Sequence, residues 1–130
     1  METKHYLIDT NVVIDFLGNK IPSSGSIFLN SIVDNVPIVS VITKIELLGF
    51  NTSPEHYALL NNFINDSSVL GLSNNVVDKC IDIRKRYKTK LPDAIIAATA
   101  LTFDLVLVTR NVDDFKNIPG LQVINPHEIQ

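Results

Sequence analysis

Tyr6-Leu7-Ile8-Asp9-Thr10-Asn11-Val12-Val13-Ile14-Asp15 is the stretch that sets the fold class. Three consecutive apolar residues give way to an acid and two small polar residues, and helical spacing begins at Val12. A short run that is apolar at every position suits a strand covered on both faces, and Asp-Thr-Asn suits the turn from that strand into a helix. Three further runs have the same character: Ile38-Val39-Ser40-Val41, Val69-Leu70-Gly71-Leu72 and Leu105-Val106-Leu107-Val108. A fifth, Leu121 to Ile124, lies between Pro119-Gly120 and Pro126, which suits an edge strand.

Helical spacing fills the intervals, over Val12 to Leu17, Ile27 to Val33, Thr43 to Phe50, Tyr57 to Ile64, Val76 to Tyr87 and Asp93 to Thr102. Strands alternating with helices imply βαβ crossovers and a mainly parallel sheet of four or five strands. Gly18 to Gly25, which contains Pro22-Ser23-Ser24-Gly25, reads as a flexible loop.

The 130 residues suit a single domain spanning 1–130, and 45% hydrophobic with 19% charged residues suits a soluble globular chain. Cys80 stands alone in an apolar helical run and reads as a small core residue. Asp9 and Asn11 break the first apolar stretch, so it forms neither a signal sequence nor a spanning helix, and the expected compartment is the cytoplasm. A net charge of -3 excludes a protein that holds nucleic acid by a globally basic surface, so any such contact must be local.

In an open parallel sheet the ligand crevice lies beyond the carboxyl ends of the strands, so polar residues just after apolar runs carry the information. Asp9 follows the first run, Glu46 lies one turn into the helix after the second, and Asp93 opens the Ala-rich helix ahead of the fourth. Thr109-Arg110-Asn111 and Asp113-Asp114 follow the fourth run. Clustered carboxylates disfavour joint ionisation unless a cation compensates them, and an oxygen-only cluster suits Mg²⁺ or Mn²⁺. Such a site fits phosphodiester hydrolysis.

Each residue also has a local explanation. Thr43-Lys44-Ile45-Glu46 matches a helix capping box, Asp93 after Pro92 complements a helix dipole, and Asp9 can serve as a cap. Asp15 reads as an exposed helix position, and Asp113 and Asp114 as solvated turn residues. Nucleophilic chemistry finds less support: His5, His56 and His127 lie near termini or on a surface-like helix, and no Gly-x-Ser-x-Gly elbow is present.

Together, four segments resemble the PIN-domain family, and more closely the VapC-like toxins of prokaryotic toxin-antitoxin modules. They are Leu7 to Asp15, Ser40 to Leu47, Pro92 to Ala100 and Leu107 to Phe115, in family order over nearly the whole chain. The resemblance implies a three-layer α/β/α sandwich and a Mg²⁺- or Mn²⁺-dependent endoribonuclease. It also implies a homodimer and a cognate antitoxin whose C-terminal tail covers the site. Carried over by position, Asp9, Glu46 and Asp93 match the family's metal-coordinating carboxylates. Asn111 stands where many members have an acid, with Asp114 nearby to assist through water; Thr10, Asn11 and Thr109 match small polar positions that orient carboxylates or water.

Five basic residues, Arg84, Lys85, Arg86, Lys88 and Lys90, lie just ahead of Asp93. They suit a local phosphate-attracting patch for RNA, with Lys88, Lys90 and Arg110 as contacts, or a helix end whose cations answer the dipole. Phe28, Leu29, Leu48, Phe50, Tyr57 and Phe63 are divided between core and a surface for subunit or partner contact. Two other classes compete. A phosphatase or receiver-like phospho-acceptor would use Asp9, but Asn11 takes the second position of an Asp-x-Asp pair and no paired acids stand near the first strand. A catalytically silent PIN domain that only binds would accord with Asn111.

Overall fold

The computed structural model describes residues 4–130. Five strands and six helices alternate: β1 (Tyr6–Ile8), α1 (Thr10–Leu17), α2 (Ser23–Val33), β2 (Ile38–Ser40), α3 (Val41–Leu48), α4 (Pro54–Asn65), β3 (Ser68–Leu70), α5 (Asn74–Arg86), α6 (Leu91–Thr102), β4 (Val106–Val108) and β5 (Val123–Ile124). Short 3₁₀ turns cover Val112–Asp114 and Pro126–Glu128. The sheet order is β3-β2-β1-β4-β5 with every pair parallel. This is the α/β fold expected from the alternation of runs, and β5 takes the predicted edge. Gly120 supplies the turn ahead of β5 at φ 81°, a left-handed backbone open to glycine.

Strand alternation builds two cores. Leu7 and Leu107, paired in register, face α5 and α6, where Val76, Cys80, Ile83 and the Ala94–Ala100 run pack. Ile8 and Val108, the next pair, face α1 to α4 and meet Val12, Leu29, Leu47, Leu60 and Phe63. The result is a three-layer α/β/α sandwich. Of the divided apolar residues, Leu29 and Phe63 are core, Phe28 and Leu48 are partly covered, and Phe50 and Tyr57 are exposed.

Two readings are corrected. The loop is shorter than Gly18 to Gly25: residues 18–22 connect α1 to α2, but Ser23 to Gly25 form the first turn of α2, and Gly25 is buried so tightly that a Cβ would collide with the carbonyl oxygen of Pro126. Asp15 is not exposed; it retains only 5% of its surface. Its charge is tolerated because Arg110 Nη1 stands 2.8 Å and His127 Nε2 3.0 Å from its Oδ2.

The strand order locates the ligand edge. From β1 the chain builds β2 and β3 to one side, then crosses through α5 and α6 to place β4 on the other side. The topological switch therefore falls between β1 and β4, where the loops leaving two parallel strands diverge and open a crevice.

Candidate functional site

Asp9 ends β1 at that switch. Its backbone N–H donates to the carbonyl of Val108, so the sheet itself fixes the start of the site. The side chain caps α1: Oδ1 accepts from Thr10 N at 2.8 Å. Oδ2 accepts from Thr109 Oγ1 at 2.7 Å and from Asn11 Nδ2 at 3.3 Å. The capping and site readings thus fall on different oxygens of one carboxylate. Thr109, fully buried, is oriented in turn because its Oγ1 accepts from Asn111 N at 3.1 Å.

Glu46 does not close a capping box. α3 begins at Val41, with Ser40 Oγ accepting from Ile42 N, so Thr43 lies inside the helix and is fully buried. Glu46 Oε1 instead accepts from Thr10 Oγ1 at 2.7 Å, and Thr10 Oγ1 also lies 3.0 Å from Thr43 Oγ1. Thr43 is a site residue the sequence reading missed, because its spacing to Glu46 imitates a cap.

Asp93 occupies the first turn of α6, whose N-terminus reaches the same edge because the helix runs antiparallel to the strand it feeds. Burial pushes its carboxyl above the usual range; Asp114, Asp9 and Glu46 push the same way, and Lys90 alone opposes them. Asp9 is raised for the same first reason, with Glu46 adding to it, while the donors Thr109, Thr10 and Asn11 hold the charged form. Asp93 thus feels the charge of three acids brought to it from other segments, and Asp9 that of Glu46. Asn111 is exposed and contributes its backbone N–H to Thr109, so the acid of its segment that couples to Asp93 is Asp114.

A cleft of about 670 Å³ opens beside Asp93 and Asp114, and the connection from α5 to α6 forms its other wall, with Arg86, Lys88 and Lys90. Asp9 and Glu46 lie outside its lining. Arg84 Nη1 is tied to the carbonyl of Thr89 and Arg86 Nε to Asp82, whereas Lys88 and Lys90 are exposed on the wall. Arg110 does not head the cleft; its guanidinium is on Asp15.

The donor set fits a hard divalent cation by its chemistry: it is oxygen-only and negative, and positive charge among Asp9, Glu46, Asp93 and Asp114 would offset the mutual repulsion just described. Among the described residues no three His, Cys, Asp or Glu side chains close on one point as a ligand sphere.

The family described as PIN domain matches residues 6–121. No curated protein matches the chain. Among solved structures, a chain of a toxin-antitoxin complex from Klebsiella pneumoniae is 31% identical, with a TM-score of 0.76 over 95% of this chain and 99% of that one. A chain of DNA-bound VapBC from Salmonella typhimurium is 27% identical, with a TM-score of 0.79 over 95% and 99%. VapBC2 from Rickettsia felis, bound to a DNA fragment from its promoter, shares the fold at 22% identity and a TM-score of 0.77, over 92% and 97%.

Proposed function

The chain belongs to the PIN-domain family and is VapC-like, and on that premise we propose that it is a metal-dependent endoribonuclease, the toxin of a toxin-antitoxin module. The observation that carries this reading is the gathering of acids at the β1/β4 switch: Thr10 bonds Asp9 Oδ1 through its backbone N–H at 2.8 Å and Glu46 Oε1 through its hydroxyl at 2.7 Å, and the carboxyl of Asp93 is raised by burial and by the neighbouring acids. Neutral or basic sites do not create the need for a cation that clustered acids do, and a cation so held can serve phosphodiester hydrolysis.

Asp9 and Asp93 would hold Mg²⁺ or Mn²⁺, with Glu46 at its margin and Asp114 assisting through water. When bound, such a cation neutralises phosphate charge and favours ionised water. Thr109, Asn11 and the Thr10 backbone favour the charged form of Asp9 against its burial and aim its oxygens. Thr10 anchors Glu46 through Oε1, which leaves Oε2 to accept a proton from the attacking water. Lys88 and Lys90 draw the RNA backbone along the cleft wall toward Asp93.

Residues 1–130 act as one domain in this reading, in the cytoplasm, as a homodimer held by an antitoxin. The complexes formed by the Klebsiella and Salmonella relatives support such a partner. Among the described residues no helix is long and apolar enough to cross a membrane. The rival reading, a silent binding module, rested on Asn111; the coupling of Asp114 to Asp93 supplies an acid from the same segment. Titrating Mn²⁺ during thermal unfolding tests both. Stabilisation by Mn²⁺ that vanishes in Asp93→Asn, together with loss of RNA cleavage, supports the nuclease, and indifference to Mn²⁺ with no cleavage by the wild type refutes it.

A further inference from the structure

Of the three residues after β4, two grip the start of α1 and the third steadies the first. Thr109 Oγ1 donates to Asp9 Oδ2 at 2.7 Å, Arg110 N donates to Asn11 Oδ1 at 3.2 Å, and Asn111 N donates to Thr109 Oγ1 at 3.1 Å. Asn11 passes the contact on, since its Nδ2 donates to Asp9 Oδ2 at 3.3 Å. One turn along α1, on the face of Asn11, lies Asp15. Its carboxylate is 7% exposed, and its Oδ2 receives Arg110 Nη1 at 2.8 Å. The same oxygen lies 3.0 Å from His127 Nε2, which must carry the proton because a carboxylate oxygen only accepts.

His127 belongs to the 3₁₀ turn Pro126–Glu128, whose own cap is Asn125 Oδ1 accepting from His127 N at 2.9 Å. The turn is wedged against α2, where Gly25 admits the carbonyl of Pro126. Asp15 therefore receives side chains from the loop after β4 and from the segment after β5, and draws both onto the helix that Asp9 caps. A buried charge with two committed partners is a costly way to make a helix contact. It is an effective way to hold a loop in one register. The Arg110 side chain is 49% exposed, yet its Nη1 is committed to Asp15, and Arg110 is not among the residues lining the cleft beside Asp93.

We propose that Asp15, Arg110 and His127 form a brace that positions Asp9, making Arg110 a positioning residue and not a contact to RNA phosphate. Through Arg110 the brace fixes the backbone N–H that holds Asn11, and through Asn11 and Thr109 it fixes Asp9 Oδ2. The inference rests on the reading of Asp9 as a cation-holding carboxylate.

The test compares Arg110→Gln, Asp15→Asn and the double variant, with His127→Gln as the milder partner should Asp15→Asn not fold. Residues that orient a cation-holding group typically contribute about 10-fold to 100-fold, so each single variant is expected to lower kcat and Mn²⁺ affinity within that range, with KM for RNA unchanged. The double variant should fall no further than the worse single one, because both remove the same link. In the cation-free protein, the Asn11 side-chain amide resonance should move alike in both single variants. A raised KM with kcat intact, additive losses, or an unmoved Asn11 amide overturns the brace; a lowered melting temperature with none of the other changes does so too. If Asp9→Asn cleaves RNA as well as the wild type, the reading of Asp9 as a cation-holding carboxylate fails, and the Asn11 resonance still decides whether the brace holds Asp9.

Discussion

Thr109 Oγ1 donates to Asp9 Oδ2 at 2.7 Å, joining residues 100 apart in sequence at the point where β1 and β4 part. The bond is buried, and it is the strongest of the contacts holding Asp9 in its charged form. Thr109→Val keeps the volume and removes the donor. Loss of one partner to a buried carboxylate typically costs about 1–3 kcal/mol, so urea unfolding should show destabilisation in that range if Asp9 stays charged. Mn²⁺ binding by calorimetry should weaken, and Thr109→Ser should restore it.

Asp93→Asn separates function from stability. Its carboxyl is raised above the ordinary 3.8 in the folded protein, first by burial and then by Asp114 and Asp9. A group raised on folding favours the native state fully below its unfolded value, and that contribution is lost as pH rises through the folded value. Without added cation, the wild type should therefore lose stability relative to Asp93→Asn as pH climbs from about 4 toward neutrality. Denaturant melts of both proteins across that window check the sign. Cleavage should vanish in the variant.

Among the described residues, Lys88 and Lys90 face the cleft without a salt-bridged acid, whereas Arg84 and Arg86 are tied to Thr89 and Asp82. Replacing Lys88 and Lys90 by Ala should raise KM for RNA and leave kcat in place. The slope of log affinity against log salt should flatten by about 0.7 for each phosphate of a single strand that is no longer neutralised. Arg86→Ala should change neither. Fluorescence anisotropy at several salt concentrations reads both results.

Gly25→Ala tests the seam between α2 and the C-terminal 3₁₀ turn. The added Cβ would run into the Pro126 carbonyl, which as backbone cannot swing aside. Overpacking of this kind costs about 1–3 kcal/mol, and thermal unfolding should register it. Hydrogen exchange should rise in residues 125–128 ahead of the sheet.

The layers were legible because their signal is local. Apolar runs and helical spacing named all five strands and six helices, and the rule that ligands gather at carboxyl edges selected Asp9, Glu46 and Asp93 for attention. What stayed hidden was set by distant partners. Asp15 looks like a surface acid until Arg110 and His127, 95 and 112 residues away, arrive to cover it. Ser40 and Thr43 are two hydroxyls three residues apart, and only the backbone tells which one caps α3. Pro22-Ser23-Ser24-Gly25 carries loop composition, yet Gly25 is small to admit Pro126, a demand no neighbouring residue announces.

The place of β4 so late in the chain has a consequence for synthesis. A ribosome adds about 5–20 residues per second, and α1 to α4 with their half of the sandwich can gather well before Val106 emerges. Asp9 meanwhile caps a helix but lacks Thr109, and Asp15 has no counter-charge. The edge of the sheet where Asp9 sits is thus completed late: its carboxylate and that of Asp15 acquire their distant partners only once Thr109 and Arg110 have been made, after most of the sandwich is already in place.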